Sequence, residues 1–340
     1  MQKDNLIIIH TDGGAASQVD FCALGKFFED KGYRVKYDIT WLKEYGVNIP
    51  GGKYIIDKAF PNLKIEFATD EEIKLYKNKY RRKNQPLNEC KPPIYIDGYP
   101  EERPFLSVKY RDFFSKEFVF NTDESKQKNL LDEVMKNNSC GVHIRRGDLA
   151  DFHPAYGYPA DKAYFLRVID IVNKINDNVC FYFFSNRMEW VKENIIPHIK
   201  TTNYKIVEQN DDDMGYLDMY LLSRCKIIIS SNSGFALMAR LLSGSENTQL
   251  WMCKNWDFIC EAMDLDNIYM YLRPDTIVDR KTIFHSGFVD KFKLTDSTNS
   301  SNLAHIKKYK KYKRLFNVFL AISLLLTVVL MVLLTKRCLK

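Results

Sequence analysis

The residues best suited to chemistry lie in one short segment, 141–148, which reads Gly-Val-His-Ile-Arg-Arg-Gly-Asp. Its apolar first half predicts a buried strand, and the Gly-Asp pair predicts a turn after it. Arg145 and Arg146 then stand at the end of a strand, where open α/β sheets bind ligands. Guanidinium groups suit the oxygens of phosphates. The segment predicts a diphosphate site; the alternatives are surface ion pairs, a core position for His143 and an exposed adhesion tripeptide at 146–148.

A second polar strand end follows at 230–234, where Ser-Ser-Asn-Ser-Gly separates an apolar strand from a predicted helix. Hydroxyls and free backbone N–H groups at a helix N-terminus favour anions, although plain capping by serine is the alternative. Consecutive α/β units place their strand ends along one crevice. We therefore expect Ser231, Asn232 and Ser233 to enclose the same diphosphate as the arginines.

A glycine pair, Gly13-Gly14, follows the predicted strand 5–10 and precedes a predicted helix. Glycine lets backbone N–H groups approach an anionic or sugar ligand closely. The pair lacks the third glycine of a dinucleotide fingerprint and the Gly-Lys-Ser/Thr of a P-loop, so the sequence supports neither NAD binding nor an NTPase. The triple aspartate 211–213 is the candidate for a metal site, but acids also complement the dipole of a following helix. We expect no metal.

Alternation of strands and helices predicts an α/β protein with two doubly wound units. We place the boundary at Asn137-Asn138, so that 1–136 and 137–284 are the two predicted domains. The stretch 84–120, rich in proline and aromatic residues, is predicted to be connecting structure. Its Tyr95 to Tyr99 segment is predicted to provide exposed aromatic platforms.

Composition excludes a largely disordered chain, because 46% of the 340 residues are hydrophobic and 14% are aromatic. The net charge of +7 is concentrated in the basic run 305–314, so the rest is close to neutral and nucleic acid is not an expected partner. The eight cysteines form no C-x-x-C pair and no zinc-like cluster with histidine, which favours reduced thiols.

An uncharged stretch rich in leucine and valine, 315–335, follows the basic run. At ~1.5 Å per residue it is long enough to span a bilayer as a helix, and a buried soluble helix is the alternative. More basic residues precede it than follow it, which places the preceding part on the cytoplasmic side. We expect a single-pass C-terminal anchor in a bacterial inner membrane, joined through a polar and basic tether at 285–314.

Taken together, these motifs resemble the α-1,2-fucosyltransferases of glycosyltransferase family 11 and, more broadly, the fucosyltransferases that share a His-x-Arg-Arg-Gly-Asp signature. The chain matches that signature in full at His143, Arg145, Arg146, Gly147 and Asp148. Further stretches follow in the family's order at 13–38, 98–99, 184–194 and 218–242. The resemblance implies a GT-B architecture of two Rossmann-like domains, in which 1–136 is the N-terminal, acceptor-side domain and 137–284 is the donor-binding domain. It also implies a GDP-fucose donor, a galactose-containing glycan acceptor that could be lipid-linked, and no cofactor.

Two departures from the family lie near the predicted donor site. Segment 13–18 reads Gly-Gly-Ala-Ala-Ser-Gln where the family has Gly-Gly-Leu-Gly-Asn-Gln, so Gln18 is kept. Segment 184–187 reads Phe-Ser-Asn-Arg where the family often has Phe-Ser-Asp-Asp. Asn186 thus replaces an acid that reads the guanine edge in related enzymes, although it can still accept one hydrogen bond.

A third departure lies in 232–237, Asn-Ser-Gly-Phe-Ala-Leu, where the family has Ser-Ser-Phe-Ser-Trp-Trp. Ser233 and Phe235 are kept, whereas both tryptophans are lost. These differences predict a changed acceptor or a changed donor base. Two alternatives therefore stay open: a glycosyltransferase of the same fold that uses another nucleotide sugar, and a membrane-tethered nucleotide-sugar binding protein with little activity.

The resemblance implies an inverting transfer of fucose to the 2-hydroxyl of a galactoside. Arg145 and Arg146 are predicted to bind the donor diphosphate and to stabilise the leaving group without a metal. Asp148 completes the predicted catalytic set, and Asp148, Asp12 and His10 are the candidates for a general base. The predicted donor-binding set is His143, Arg145, Arg146, Asn186, Ser231, Asn232, Ser233, Phe235, Gly13, Gly14 and Gln18.

Overall fold

Two sheets built mainly of parallel strands form the framework of this computed structural model. The described residues are 5–49, 51–79, 85–100, 103–118, 125–147, 159–208, 214–231, 233–245, 247–253, 268–273 and 276–279. The predicted tether 285–314 and the predicted membrane span 315–335 lie outside them. Within the described part of the chain, no helix is both long enough and apolar enough to cross a bilayer.

The first sheet has three parallel strands in the order β2-β1-β3. Its strands are β1 Leu6–His10, β2 Arg34–Asp38 and β3 Ile94–Ile96. The continuous apolar run in β1 suits a strand covered on both faces, and Ile7, Ile8 and Ile9 have no exposed surface. The predicted first strand, glycine turn and helix are confirmed.

Strand β3 corrects one prediction, because it lies inside the stretch that the sequence indicated to be connecting structure. Tyr95 is buried rather than an exposed platform, and its hydroxyl donates to Oδ2 of Asp38 at 2.6 Å. Tyr99 is half exposed, as predicted. A strand of three residues among prolines is too short for its alternation to be recognised, which explains the error.

The second sheet has seven strands in the order β10-β9-β8-β7-β4-β5-β6, and all neighbours are parallel except β9 and β10. Its strands are β4 Asn138–Ile144, β5 Val179–Ser185, β6 Tyr204–Ile206, β7 Ile227–Ser230, β8 Gln249–Cys253, β9 Ile268–Arg273 and β10 Thr276–Asp279. The strands predicted for β4 to β7 are confirmed, whereas β8 to β10 were not predicted.

Helices connect the strands and cover the faces of the sheets. They are α1 Ala15–Glu29, α2 Thr40–Glu44, α3 Ile56–Ala59, α4 Asp70–Tyr76, α5 Arg103–Lys109, α6 Arg111–Glu117, α7 Ser125–Lys136, α8 Lys162–Ile175, α9 Met188–Asn194, α10 Gly215–Ser223 and α11 Gly234–Leu242. One face of α8 carries Phe165, Val168, Ile169 and Val172 at helical spacing, and these side chains join the core under the second sheet.

Each sheet reverses the direction in which its strands are added. In the second sheet β5 and β6 extend one side of β4, and the chain then returns to place β7 on the other side. In the first sheet β2 and β3 lie on opposite sides of β1. Open α/β sheets bind ligands at such switch points, outside the carboxyl ends of the strands. The two expected crevices therefore lie at the ends of β4 and β7, and at the ends of β1 and β3.

The predicted α/β class is thus confirmed. The predicted domain boundary at 137 stays a prediction, as does the GT-B arrangement of two Rossmann-like domains. The described residues belong to one compact unit, Met1–Arg280, in which the first sheet is built from residues before that boundary and the second from residues after it.

Close packing of β4 against α10 allows no side chain at Gly141. A Cβ added there would lie 2.3 Å from Cδ1 of Leu222 and 3.1 Å from Sγ of Cys225. Leu222 has no exposed surface and cannot swing into solvent. We expect Gly141→Ala to lower the free energy of unfolding by about 1–3 kcal/mol, measured by urea denaturation.

The matched control is Gly215→Ala, because a Cβ at Gly215 meets no atom within 4 Å. This variant is expected to keep the wild-type stability or to gain slightly, since alanine suits a helix better than glycine. An equal loss of stability in both variants would contradict the packing argument.

Candidate functional site

The loop that follows β4 is held in place by the strands on both sides of it. The backbone N–H of Arg145 donates to Oγ of Ser231 at 3.0 Å, from the end of β7. The backbone N–H groups of Arg146 and Gly147 donate to Oδ1 of Asn186 at 2.8 and 3.2 Å, from the end of β5. These bonds fix the direction in which both arginines leave the sheet.

The guanidinium of Arg146 is oriented by its own contacts. Its central carbon lies 3.9 Å from the ring centroid of Trp190 on α9, and Nη1 donates to the carbonyl oxygen of Ala160 at 3.4 Å. Burial lowers the pKa of Arg146, and the charge of Arg187 lowers it further. The group remains charged at neutral pH because an arginine pKa starts far above it. Stacking on indole therefore holds a cation ready at the end of the central strand.

Arg187 places a third guanidinium near this loop. It lies at the N-terminus of α9, directly after β5, and its backbone N–H donates to Oγ of Ser185 at 3.0 Å. Ser185 in turn donates to the carbonyl oxygen of Ile144 at 2.7 Å, which joins the ends of β5 and β4. Arg145 is half-buried and Arg187 is exposed. The edge of the sheet therefore carries a cluster of positive charge suited to an anion.

Sequence reasoning missed both Arg187 and Trp190. The signal for Arg187 was available, because parallel strands end at the same edge of a sheet and Arg187 follows the predicted strand 179–184. Trp190 could not be recognised in this way, since its contact with Arg146 depends on where α9 packs.

The serine loop after β7 uses its hydroxyls internally. Ser231 is buried, and its Oγ accepts from Arg145 and lies 3.5 Å from the carbonyl oxygen of His143. Ser233 is also buried, and its Oγ caps α11 by accepting from the backbone N–H of Phe235 at 3.3 Å. Both hydroxyl oxygens therefore accept hydrogen bonds within the molecule, and the contact of Ser231 and Ser233 with a ligand stays a prediction. The positive end of the α11 helix dipole is a further feature of this loop that suits an anion.

Asn186 also has a different place from the predicted one. Its side-chain oxygen, the acceptor expected to read a guanine edge, is engaged by the backbone of the arginine loop. A Cβ added at Gly147 would lie 2.9 Å from Nδ2 of Asn186, so glycine allows the close approach. The Asn186 side chain is exposed, and its Nδ2 is a donor rather than an acceptor.

His143 lies beneath the loop rather than in it. Its ring stacks on Phe235 with centroids 4.9 Å apart and an interplanar angle of 16°. It is 9% exposed, and its Nδ1 has no hydrogen-bond partner among the described residues. Burial, together with the charge of Arg145, lowers the pKa of His143 to about 3. The two rings thus support the loop as a neutral pair, and the predicted donor-binding roles of His143 and Phe235 stay predictions.

At the first sheet, Gly13 has a φ of +76°, a conformation that favours glycine. A Cβ there would also lie 2.9 Å from Oγ of Ser17 and 3.0 Å from the hydroxyl of Tyr99. Gly14 is the N-cap of α1 and leaves its helix without a side-chain cap. The N-terminus of α1 therefore has no side-chain cap, although a Cβ at Gly14 would lie 3.3 Å from the carbonyl oxygen of Gly51. Contact of Gly13 and Gly14 with a ligand stays a prediction.

The side chain of Gln18 makes its hydrogen bonds within the molecule. It has no exposed surface, its Nε2 donates to the carbonyl oxygens of Gly13 and Lys53 at 3.2 and 2.8 Å, and its Oε1 accepts from Ile55 at 3.0 Å. Its donors and its acceptor therefore all tie loops of the first sheet together. The structure thus gives Gln18 a structural role in the first sheet, and its predicted contact with the donor stays a prediction.

The N-termini of α1 and α11 face one another. A Cβ added at Gly234, the first residue of α11, would lie 3.9 Å from Cβ of Ala16 in α1. The helix that follows β1 therefore meets the helix that follows β7. The structure brings the glycine loop, the serine loop and the arginine loop into one region.

Several predicted residues lie outside the described part of the chain, namely Asp148, Asn232 and the triple aspartate 211–213. Their roles stay predictions. Among the residues that the structure does describe, no group of three or more His, Cys, Asp or Glu side chains could hold a metal ion.

The family described as "Glycosyl transferase family 11" matches residues 63–268, more than half of the chain. Among curated proteins, the chain is 32% identical over 149 residues to the alpha-1,2-colitosyltransferase of Escherichia coli, covering 42% of this chain and 48% of that protein. It is 31% identical over 166 residues to galactoside alpha-(1,2)-fucosyltransferase 2 of Hylobates lar, covering 46% and 47%. The chain spans about half the length of these curated relatives.

Among solved structures, the chain is similar to the NodZ alpha-1,6-fucosyltransferase co-crystallized with GDP. The TM-score is 0.42 at 15% sequence identity, covering 82% of this chain and 99% of that chain. It is also similar to a glycosyl transferase of family 9 from Veillonella parvula, with a TM-score of 0.43 at 11% identity, covering 84% and 92%.

The buried, neutral His143 predicts a loss of stability in mild acid. Its pKa is lowered to about 3 in the folded protein, whereas an unfolded histidine has a pKa of ~6.5. Its stabilising effect is therefore complete above pH ~6.5 and is lost as the pH falls below that value, because only the unfolded chain takes up the proton. Between pH 7.5 and 5.0 this amounts to ~2 kcal/mol of unfolding free energy.

Urea denaturation at the two pH values tests this expectation. His143→Gln should show a smaller acid-induced loss than the wild type, by the amount given above. His198→Gln removes an exposed histidine and should leave the wild-type pH dependence unchanged. The same pH dependence in His143→Gln and the wild type would refute the assignment.

Proposed function

The chain belongs to glycosyl transferase family 11, and on that premise we propose that it transfers fucose from GDP-fucose to the 2-hydroxyl of a galactoside. The observation that carries this proposal is the pair Arg145 and Arg146 at the switch point of the second sheet. Their backbone N–H groups donate to the side chains of Ser231 and Asn186, which lie at the ends of the two neighbouring strands. The relatives support the chemistry, since they include an α-1,2-colitosyltransferase and galactoside α-(1,2)-fucosyltransferases.

The arginine loop suits the diphosphate of a nucleotide sugar. Two guanidinium groups on successive residues can each form paired bonds with phosphate oxygens. Arg146 is stacked on Trp190, so little conformational freedom is lost when it binds. The N-terminus of α11, where Ser233 caps the N–H of Phe235, adds the positive end of a helix dipole. The arginine loop and the N-terminus of α11 would thus contact the diphosphate from two sides.

The reaction requires charge stabilisation on the leaving side. As the bond between sugar C1 and the phosphate oxygen breaks, negative charge grows on GDP, and positioned cations stabilise it without having to reorganise. Since GDP-fucose is β-linked and the proposed product is α-linked, the acceptor hydroxyl attacks C1 from the opposite face and the configuration inverts. On this proposal the arginines do the work that a divalent metal does in other nucleotide-sugar enzymes.

A second candidate donor is a colitose nucleotide, because the alpha-1,2-colitosyltransferase of Escherichia coli is 32% identical to this chain over 149 residues. Two side chains at the end of β5 bear on which nucleotide sugar is the donor. The oxygen of Asn186 is engaged by the arginine loop, and Arg187 offers only hydrogen-bond donors at the same strand end. Few acceptors on this loop are therefore left to bind the base of the nucleotide sugar. The identity of that base is thus a property in which this chain can differ from its relatives.

Anchoring at 315–335 in a bacterial inner membrane, with the arginine loop on the cytoplasmic side, stays part of the proposal. It rests on the uncharged run and its basic flanks in the sequence. A cytoplasmic site of this kind fits a lipid-linked glycan as the acceptor.

The test is turnover by the purified full chain in detergent. GDP-fucose and other nucleotide sugars, including a GDP-colitose, are offered with β-galactoside acceptors in the presence of EDTA, and linkages are assigned by NMR. We expect an α-1,2-linked product in EDTA. Binding of nucleotide sugars without transfer would favour the binding-protein alternative. Loss of activity in EDTA would favour a metal site at the aspartates 211–213.

Removing the guanidinium of Arg146 should nearly abolish transfer. Arg146→Ala is expected to lower kcat by ~10² to 10³, because it removes one preorganised charge from the leaving group. Arg146→Lys keeps the charge but loses the planar stack on Trp190, so it should recover only part of the rate. Arg167→Ala, on α8, is the control and should leave kcat unchanged. Retention of half the activity in Arg146→Ala would refute the role.

A further inference from the structure

The first sheet carries a histidine and a carboxylate that are arranged as a proton acceptor. Resting on the proposed function, we infer that His10 is the general base that removes the proton from the acceptor hydroxyl, and that Asp97 is its positioning residue. The sequence alone left His10 as one of three candidates and gave no reason to associate it with Asp97.

The pair lies at the switch point of the first sheet. His10 is the last residue of β1, and Asp97 directly follows β3, which pairs with β1 in parallel. Because β2 and β3 lie on opposite sides of β1, the crevice at the carboxyl ends opens between β1 and β3. Both side chains therefore stand where an open α/β sheet accepts a ligand.

The geometry fixes which nitrogen acts. Nδ1 of His10 lies 2.8 Å from Oδ1 of Asp97, and the same oxygen accepts from the backbone N–H of Gly98 at 2.8 Å. The carboxylate is thus oriented by its own chain and holds the proton of the imidazole on Nδ1. Nε2 is then the basic nitrogen. The His10 side chain is 20% exposed, so it is restrained yet open to solvent.

Tyr95 and Asp38 are two further neighbours of His10. Tyr95 packs beside it with ring centroids 6.4 Å apart. Asp38, at the end of β2, is close enough for the charge of His10 to act on it. Burial alone would raise the pKa of Asp38, but hydrogen bonds from Tyr95 and Thr40 outweigh burial and, with His10, lower it. An imidazolium at His10 would therefore face the carboxylates of both Asp97 and Asp38.

The other carboxylates of this sheet edge are weaker candidates for the base. Asp12 accepts a hydrogen bond from the hydroxyl of Tyr99, which occupies its Oδ1. Asp38 is buried and accepts from Tyr95 and Thr40, and these bonds lower its pKa. A carboxylate that is stabilised as an anion in this way is a poorer proton acceptor. The imidazole of His10 has a carboxylate on one nitrogen and a basic lone pair on the other.

The first sheet also reaches the arginine side of the molecule. From His10 the chain runs through the glycine loop into α1, whose Ala16 would lie 3.9 Å from a Cβ at Gly234 in α11. The loop before α11 holds Ser231, which bonds to Arg145. The base and the cations are thus connected through the glycine loop and the loop before α11.

The step balances as follows. The acceptor hydroxyl gives its proton to Nε2 of His10 while its oxygen forms the new bond to C1 of the sugar. The bond from C1 to the phosphate oxygen breaks, and its electron pair leaves with GDP beside Arg145 and Arg146. The imidazolium, stabilised by Asp97, later releases its proton to water.

The experiment compares the full-length wild type with His10→Ala, His10→Gln, Asp97→Asn and the control His198→Ala. For each protein, kcat of transfer and the Kd of GDP are measured, with and without added imidazole. His10→Ala should lose ~10² to 10⁴ in kcat, the usual range for a general base, with unchanged affinity for GDP. Imidazole should restore part of that rate and should not accelerate the wild type or His198→Ala.

Asp97→Asn should lower kcat in the presence of His10 and have no further effect in the His10→Ala background, because it acts through the histidine. If His10→Ala does not fold, as judged by circular dichroism, His10→Gln takes its place for the kcat and Kd comparison.

Normal kcat in the His10 variants, a loss explained by weaker GDP binding, or the absence of imidazole rescue in a folded His10→Ala would overturn the inference. A wild type that turns over no nucleotide sugar would instead refute the proposed function.

Discussion

The order in which strands are added to the second sheet is the constraint on which the site depends. β4 is the first strand of this sheet in the chain, β5 and β6 extend one side of it, and the chain then returns to place β7 on the other side. The connections after β4 and β7 therefore diverge, and a crevice opens between them. The loop after β4 takes its hydrogen bonds from side chains of the adjacent strand ends, Asn186 and Ser231. Its backbone is set before any ligand arrives.

Placing cations at that point has an electrostatic cost. Burial and the charge of Arg187 both lower the pKa of Arg146, which means that the folded protein holds its charge less favourably than water does. Stacking on Trp190 offsets part of this cost, and an anionic ligand would offset more. His143 below the loop stays neutral because it is buried, so it adds no further positive charge. The loop is thus arranged for a ligand that brings negative charge.

The first sheet uses the same topology for a different chemistry. β1 lies between β2 and β3, and its end carries a histidine and carboxylates instead of arginines. Gln18 ties the glycine loop to Lys53 and Ile55, so the backbone around the N-terminus of α1 is as well supported as the arginine loop. On the proposed function, the arginines at one strand end stabilise the leaving group, and the histidine at the other accepts the proton of the nucleophile.

The sequence by itself determined the α/β class, most strands and helices, and the arginine loop, because these follow from apolar periodicity and from residue types within a few positions of one another. It could not assign the individual side chains of the site. Gln18, Ser231 and Asn186 have residue types that suit a ligand, but folding gives their polar atoms partners in the backbone.

Only the tertiary structure decided that Trp190 supports Arg146 and that Asp97 meets His10, 87 positions away in the chain. Contacts between strands and helices distant in sequence depend on how the elements pack, and no local pattern records them. The short strand β3 was missed for the same reason, since its pairing with β1 rather than its three residues defines it. Residues that can take part in chemistry are therefore recognisable in the sequence, whereas the side chains that position them are determined by the order and packing of the strands.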